Sequence, residues 1–106
     1  MRSWVQRNQV QMRWLKFNGR LRNAFGIDGE DWARMYNAQG GRCACCERAI
    51  GFDHNTHVDH CHKTGRVRAL LCHGCNTSIG HLGEDLETLR RMASYLEKFC
   101  ASPNSP

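Results

Sequence analysis

The spacing of apolar residues in the first part of the chain predicts a helix. Val10, Trp14, Phe17 and Leu21 recur at positions i, i+4, i+7 and i+11. This spacing places all four side chains on one face of an α-helix. We therefore predict a helix over residues 3–23 with one packed face.

Two further segments carry a helical pattern. Over residues 28–39, Asp28 is a suitable N-cap, Trp32 and Tyr36 belong to one apolar stripe, and Gly40-Gly41 ends the helix. A last helix is predicted over residues 84–99. Its predicted inner face consists of Leu86, Leu89, Met92 or Ala93, Leu96 and Phe99. The remaining residues to the end of the chain have the composition of a frayed tail.

The middle of the chain lacks helical periodicity and predicts a hairpin. Residues 57–60 and 67–71 form the two strands, and Gly65 supplies a positive φ in the connection. A helix is expected to begin close to Asn76. With helices on either side, this organisation is that of a small α+β protein.

Composition and charge indicate the kind of partner. The chain has 106 residues, which is one domain by length, and a net charge of +5. Its first 22 residues carry six basic side chains and no acid, whereas the remainder carries nine basic and ten acidic ones. This surplus favours DNA, although the same residues can also form an ordinary solvated face. The candidate DNA contacts in this segment are Arg7, Arg13, Lys16 and Arg20.

The cysteine count bears on the compartment and on the way the fold is stabilised. The sequence has no apolar core of a signal peptide and no run long enough to cross a membrane, so a cytoplasmic protein with reduced thiols is expected. Seven cysteines cannot all pair within one chain. Metal ligation is therefore favoured over disulfides.

The spacing of these cysteines predicts a structural zinc site. Cys43 and Cys46 form one C-x-x-C pair and Cys72 and Cys75 form another, with 25 residues between Cys46 and Cys72. Two such pairs complete a closed tetrahedral site. Cys45 is an alternative ligand in the first pair, but the two-residue spacer favours Cys43 with Cys46. A thioredoxin-like redox pair is disfavoured because the required βαβ context is absent.

A second group of potential ligands lies between the two pairs. His57, Asp59, His60 and His62 fall within six residues, and Asn76 directly follows the last zinc cysteine. Carboxylate and amide oxygens suit Mg²⁺ or Mn²⁺, and a neighbouring histidine can accept a proton from water. The alternatives are that the histidines ligate or support zinc, and that Asn76 is a helix N-cap.

The same stretch carries a resemblance to a known family. Residues 58–76 read V-D-H-C-H-K-T-G-R-V-R-A-L-L-C-H-G-C-N and are followed by Gly80. This string, together with the lead-in at residues 25–28 and 39–43, resembles the recombination endonuclease VII family, over about residues 24–83. The resemblance implies a zinc-stabilised ββα-metal (His-Me finger) core flanked by helices, in a phage-type HNH endonuclease.

The resemblance also implies a role for each matching residue. Cys43, Cys46, Cys72 and Cys75 match the structural zinc ligands. Asp59 matches the acidic ligand of a catalytic Mg²⁺ or Mn²⁺, and His60 matches the general base. Asn76 matches the asparagine that helps to bind this metal or to hold the base. His57 and His62 match flanking histidines that contact the scissile phosphate or orient the site.

Some positions depart from the family pattern. Ile79 stands where the junction-resolving prototype has an acidic residue, and Ala69 stands where the family often has glycine. The long helical extension that supports an intertwined dimer is also absent from this sequence, so a monomer or weak dimer is expected.

These observations together predict a DNA-nicking endonuclease. The predicted parts are a basic helix over residues 1–24, a nuclease core over 25–83, and a C-terminal helix and tail over 84–106. Arg66 and Arg68 on the second strand are candidate phosphate contacts. The biological role can be phage packaging, in which case the packaging machinery is a partner, or recombination or general nuclease work. The rival hypothesis is a zinc-ribbon module that binds DNA without cutting it.

Overall fold

A computed structural model describes the backbone of residues 4–100 and the side chains of residues 13–100. The chain divides into two compact units, of which the first ends at His73 and the second begins at Gly74. The first unit contains two helices and a two-stranded antiparallel sheet, and the second contains most of one helix and all of another. The small α+β class is thus confirmed.

Helix α1 spans Trp4–Phe25 and confirms the first predicted helix. It ends at Gly26, whose φ of 73° lies in the left-handed region that favours glycine. Leu21 is buried, whereas Trp14 is 43% exposed and the side chain of Val10 lies outside the described residues. The predicted packed face is therefore observed towards the C-terminal end of the helix.

Helix α2 spans Gly29–Ala38 and begins with a complete capping box. The Asp28 carboxylate accepts from the backbone N–H of Asp31, and the Asp31 carboxylate accepts from the backbone N–H of Asp28. The bond from the backbone N–H of Asp28 is the main cause that lowers the pKa of the Asp31 carboxyl group. Trp32 is buried and stacks on Tyr36 at 5.3 Å between ring centroids.

Helices α1 and α2 approach closely at Gly29. The backbone N–H of Gly29 donates to the side-chain oxygen of Asn18 at 2.6 Å. A side chain at Gly29 would overlap the indole of Trp14. Glycine is therefore required here by the packing of one helix against the other rather than by its backbone conformation.

Strands β1, Thr56–His60, and β2, Val67–Cys72, form the predicted hairpin as an antiparallel pair. Gly65 in the connection has a φ of 75°, as expected. The register changes near the end of β1, because Asp59 is opposite Ala69 whereas His60 is opposite Val67. Arg68 is thus the extra residue of a bulge, a feature that can redirect a side chain.

The core of the first unit combines residues of α1, α2, β2 and the loop that contains the first cysteine pair. Its buried apolar side chains are Leu21, Trp32, Cys43, Ile50, Leu70 and Leu71. An isolated bridge between Arg42 and Ala49 closes the cysteine loop.

The Gln39 side chain joins three parts of this unit. Its amide oxygen accepts from the backbone N–H of Leu70 at 2.9 Å, and its amide nitrogen donates to the carbonyl of Leu70 at 3.0 Å. The same nitrogen donates to the carbonyl of Arg42 at 2.7 Å. Leu70 is fully buried, so its backbone groups cannot turn to water instead. No sequence motif predicts this role of Gln39.

Helices α3, His73–His81, and α4, Leu86–Cys100, follow the sheet. Helix α3 begins directly after β2, three residues before Asn76, so the prediction of a start close to Asn76 was slightly late. Helix α4 is capped by Asp85, whose carboxylate accepts from the Thr88 hydroxyl at 2.5 Å, and this bond lowers the pKa of Asp85.

The apolar stripe of α4 is exposed. Leu86 is 64% and Leu96 56% accessible, and no residue of this helix is buried. The prediction of an inner face on the last helix is therefore wrong for the structure described. Within residues 4–100, no helix is long and apolar enough to cross a membrane.

We predict that Gln39→Leu lowers the free energy of unfolding by about 1–3 kcal/mol, because the buried N–H of Leu70 loses its acceptor. Denaturant unfolding of the zinc-loaded protein would measure this loss. Asn37→Ala, at an exposed position in the last turn of α2, serves as the control and should change stability by less than about 0.5 kcal/mol. An equal effect of the two substitutions would contradict the role assigned to Gln39.

Candidate functional site

The two predicted cysteine pairs come together. The sulfur atoms of Cys43, Cys46, Cys72 and Cys75 all lie within 4.8 Å of one another. Those of Cys46 and Cys72 are 3.8 Å apart. A tetrahedral zinc ion with bonds of about 2.3 Å holds its sulfurs roughly 3.8 Å apart, so the arrangement fits a structural zinc ion. Cys45 is exposed and lies outside this group.

The surroundings of Cys43 favour the thiolate form of its side chain. Burial raises the pKa of its thiol, but backbone N–H groups of Cys46, Cys72 and Cys45 more than offset burial and lower the pKa from 9.0 to about 6. The N–H groups of Cys72 and Cys45 lie 3.3 and 3.4 Å from the sulfur. Because the thiolate is the form that binds a metal, this environment favours ligation near neutral pH.

The hairpin between the two cysteine pairs carries a buried ion pair. Asp59 is 8% exposed and is the buried charged residue of the described chain. Its two carboxylate oxygens accept from the guanidinium of Arg68, from Nε at 2.6 Å and from a terminal nitrogen at 2.9 Å. This two-pronged contact fixes the orientation of the carboxylate. It also engages Arg68, which the sequence marked as a candidate phosphate contact.

The three histidines of the motif occupy different surroundings in this unit. His60 contacts the ring of Phe25 at 5.4 Å and that of His62 at 4.8 Å between centroids. His57 instead faces His73, with Nε2 of His57 3.1 Å from Nδ1 of His73. One of these nitrogens must carry the proton for a hydrogen bond to form. The contact with His73 was not anticipated from the sequence.

The other predicted residues lie on several elements. Asn76 is the fourth residue of α3 and is half-buried. Arg66 is exposed just before β2, and its backbone carbonyl accepts from the N–H of Cys61 at 2.8 Å. Arg13, Lys16 and Arg20 are exposed on α1 and line one cavity. The side chain of Arg7 lies outside the described residues.

We predict that removing zinc with a chelator unfolds the hairpin region, because metal binding contributes folding free energy directly. Circular dichroism and elemental analysis on the same sample would follow this loss. Cys46→Ser should release the metal, whereas Cys45→Ser, one residue away, should retain about one zinc per chain. A metal-free protein with an unchanged spectrum would rule out the structural role.

Comparison with known proteins agrees with this arrangement. The family model described as recombination endonuclease VII matches residues 18–98. The Gene 59 protein of Mycobacterium phage D29 is 45% identical over 80 residues, which are 74% of this chain and 48% of that protein. The Gene 59 protein of Mycobacterium phage L5 is 42% identical over 78 residues, or 73% and 48% of the two chains. This chain thus spans about half the length of these curated relatives. It belongs to the recombination endonuclease VII family.

Proposed function

We propose that this chain is a divalent-metal-dependent HNH endonuclease that nicks DNA, with a ββα-metal core within residues 25–83. Membership of the endonuclease VII family supports the reaction class. The observation that carries the assignment is the buried Asp59 carboxylate, which is oriented by Arg68 on a hairpin whose strand β1 also carries His60. Arg68 compensates the buried charge, and the fixed orientation of the carboxylate supports a role as a metal ligand.

The residues proposed to hold the catalytic ion are Asp59 and Asn76. Their carboxylate and amide oxygens are hard donors, which fits Mg²⁺ or Mn²⁺ rather than a second zinc ion. When bound, such an ion would stabilise the negative charge that develops on the scissile phosphate and on the leaving oxygen. Ile79 contributes no ligand, so water and substrate oxygens must complete the coordination.

His60 is proposed as the general base. Its imidazole takes a proton from a water molecule, whose oxygen then forms a bond to phosphorus. The bond from phosphorus to the leaving 3′ oxygen breaks, and that oxygen takes a proton from solvent water. The products then carry a 3′ hydroxyl and a 5′ phosphate. The contacts of His60 with Phe25 and His62 restrict rotation of the ring. His57 and His62 are proposed to orient the site or to contact the phosphate.

In the proposed site, Arg68 is paired with Asp59 when neither metal nor DNA is bound. Its guanidinium occupies both oxygens of Asp59, so a metal ion must share or displace it. A guanidinium that leaves Asp59 lies on the same hairpin and can bind a phosphate oxygen, for which its planar fork is well suited. We therefore propose that Arg68 pairs with Asp59 before catalysis and with the DNA backbone during it.

The rival function is a zinc module that binds DNA without cutting it. The four cysteines and the basic helix α1 fit this alternative, but it gives no reason for a buried, oriented carboxylate beside a cluster of histidines. The biological role is proposed to be phage recombination, packaging or general cleavage. The phage origin of the relatives supports action in the cytoplasm of a bacterial host.

We predict that His60→Ala lowers the rate at which supercoiled plasmid is nicked in Mg²⁺ or Mn²⁺ by at least about 100-fold, because no group remains to accept the proton. The zinc content should stay at about one per chain. His81→Ala, an exposed histidine at the end of α3, is the matched control and should nick normally. Equal nicking by both variants would remove His60 from the mechanism. A parent protein that shifts DNA without nicking it would favour the zinc-module alternative.

We predict that Arg68→Ala binds Mn²⁺ several-fold more tightly in the absence of DNA, because a competing positive charge at Asp59 is gone. The same variant should nick more slowly, because it lacks a phosphate contact. Calorimetric titration of Mn²⁺ into the zinc-loaded protein measures the first effect. Arg66→Ala, two residues earlier and outside the ion pair, should leave the Mn²⁺ affinity unchanged. Weaker Mn²⁺ binding by Arg68→Ala would mean that the arginine only orients Asp59.

A further inference from the structure

A groove runs along α1 in the first unit. Its first part, a cavity of about 580 Å³, is lined by Arg13, Lys16, Phe17, Arg20 and Phe52. A second cavity of about 250 Å³ and a third of about 270 Å³ share Phe17 and Arg20 with it. We call these three adjoining cavities the α1 groove. Each is within or close to the range of about 300–1,000 Å³ typical of ligand sites.

The α1 groove leads to strand β1. Its third cavity is lined by Phe25, His57 and Val58, among others. Phe25 also contacts the ring of His60, the proposed general base. A polymer that follows the groove from the basic face of α1 therefore arrives at the strand that carries the proposed catalytic residues.

Phe52 gives the groove an aromatic surface. Its ring is held edge-on by Phe17, at 4.6 Å and 82°, and by Trp32, at 5.2 Å and 87°. The side chain is nevertheless 62% exposed. The ring is thus fixed in place by other aromatic rings while much of its surface faces solvent. The bases of a nucleic acid stack on fixed aromatic rings of this kind.

The charges around Phe52 suit a phosphate backbone. Arg13, Lys16 and Arg20 are exposed at positions i, i+3 and i+7 of α1, so they share one face of the helix. Asp53 is the acidic residue that lines the neighbouring part of the groove, and its carboxylate accepts from the N–H of Asn55 at 2.8 Å. The described lining of the groove is therefore cationic on balance.

An aromatic ring among cations distinguishes between double-stranded and unpaired DNA. A duplex offers phosphates to the cations, but its bases are already stacked and leave Phe52 without a partner. An unpaired strand offers both groups at once. We propose that the α1 groove binds an unpaired segment of a DNA strand, with a base stacked on Phe52 and phosphates on Arg13, Lys16 and Arg20. The choice of DNA rests on the proposed function.

The test measures binding of fluorescent single-stranded and duplex oligonucleotides by anisotropy. The zinc-loaded His60→Ala protein is used so that no cleavage occurs. Phe52→Ala should weaken single-strand binding by about 5- to 100-fold, the loss expected for one stacked base, and should change duplex binding less than threefold. Phe52→Tyr should restore the affinity, because it keeps the stacking surface. Phe99→Ala, an exposed phenylalanine on α4, should have no effect.

The contribution of the basic residues is tested by the salt dependence of single-strand binding. Arg20→Ala should lower the slope of log affinity against log salt by about 0.7, as expected for one lost phosphate contact on a single strand, whereas Phe52→Ala should leave that slope unchanged. Circular dichroism and zinc content confirm that each variant is folded.

The proposal is overturned if folded Phe52→Ala binds the single strand as tightly as its parent, or if single-strand and duplex binding fall equally. These results are independent of the proposed function. A parent protein that never nicks DNA, but loses single-strand binding on Phe52→Ala, would refute the nuclease and support the groove. A parent protein that nicks DNA, together with a Phe52→Ala variant that binds the single strand normally, would support the nuclease and refute the groove.

Discussion

The four-cysteine cluster is the constraint on which the rest of the arrangement depends. It ties the loop at Cys43 and Cys46 to the end of β2 at Cys72 and to the first turn of α3 at Cys75. The first unit has only six buried apolar side chains among its described residues, which is a small core. A metal ion bound by these four sulfurs would supply stability that the core alone cannot, and it would fix the end of β2 at Cys72.

The hairpin between the two cysteine pairs carries the residues proposed for catalysis. Its bulge makes Arg68 the extra residue of β2, and the guanidinium of Arg68 reaches both oxygens of Asp59. A buried carboxylate held in one orientation is a suitable ligand for a hard cation. The zinc centre and the proposed catalytic centre thus differ in donor chemistry, thiolate sulfur in one and oxygen in the other.

Much of this organisation could be predicted from sequence, because its signals are local. Each of these signals depends on a few neighbouring residues. They are the spacing of the cysteines, the two short strand segments, Gly65 in the turn and the Asp28 cap. What was missed depends on residues far apart in the chain. The pairing of Gln39 with Leu70 crosses 31 residues, and the contact of Asp59 with Arg68 depends on a register change that alternation does not reveal. For helix α4 the local pattern predicted too much. Periodicity predicts that the helix has an apolar face, but it does not show whether another element covers that face.

Asp59 is proposed to belong to a catalytic metal site separate from the four-cysteine cluster. Asp59→Asn tests it most directly, because the amide keeps the shape of the side chain and can still accept from Arg68. The measurement combines zinc content, Mn²⁺ titration and plasmid nicking on one preparation. We expect about one zinc per chain, no measurable Mn²⁺ binding at the site and no metal-dependent nicking. A variant that retains zinc and nicks DNA as fast as the parent would contradict this proposal.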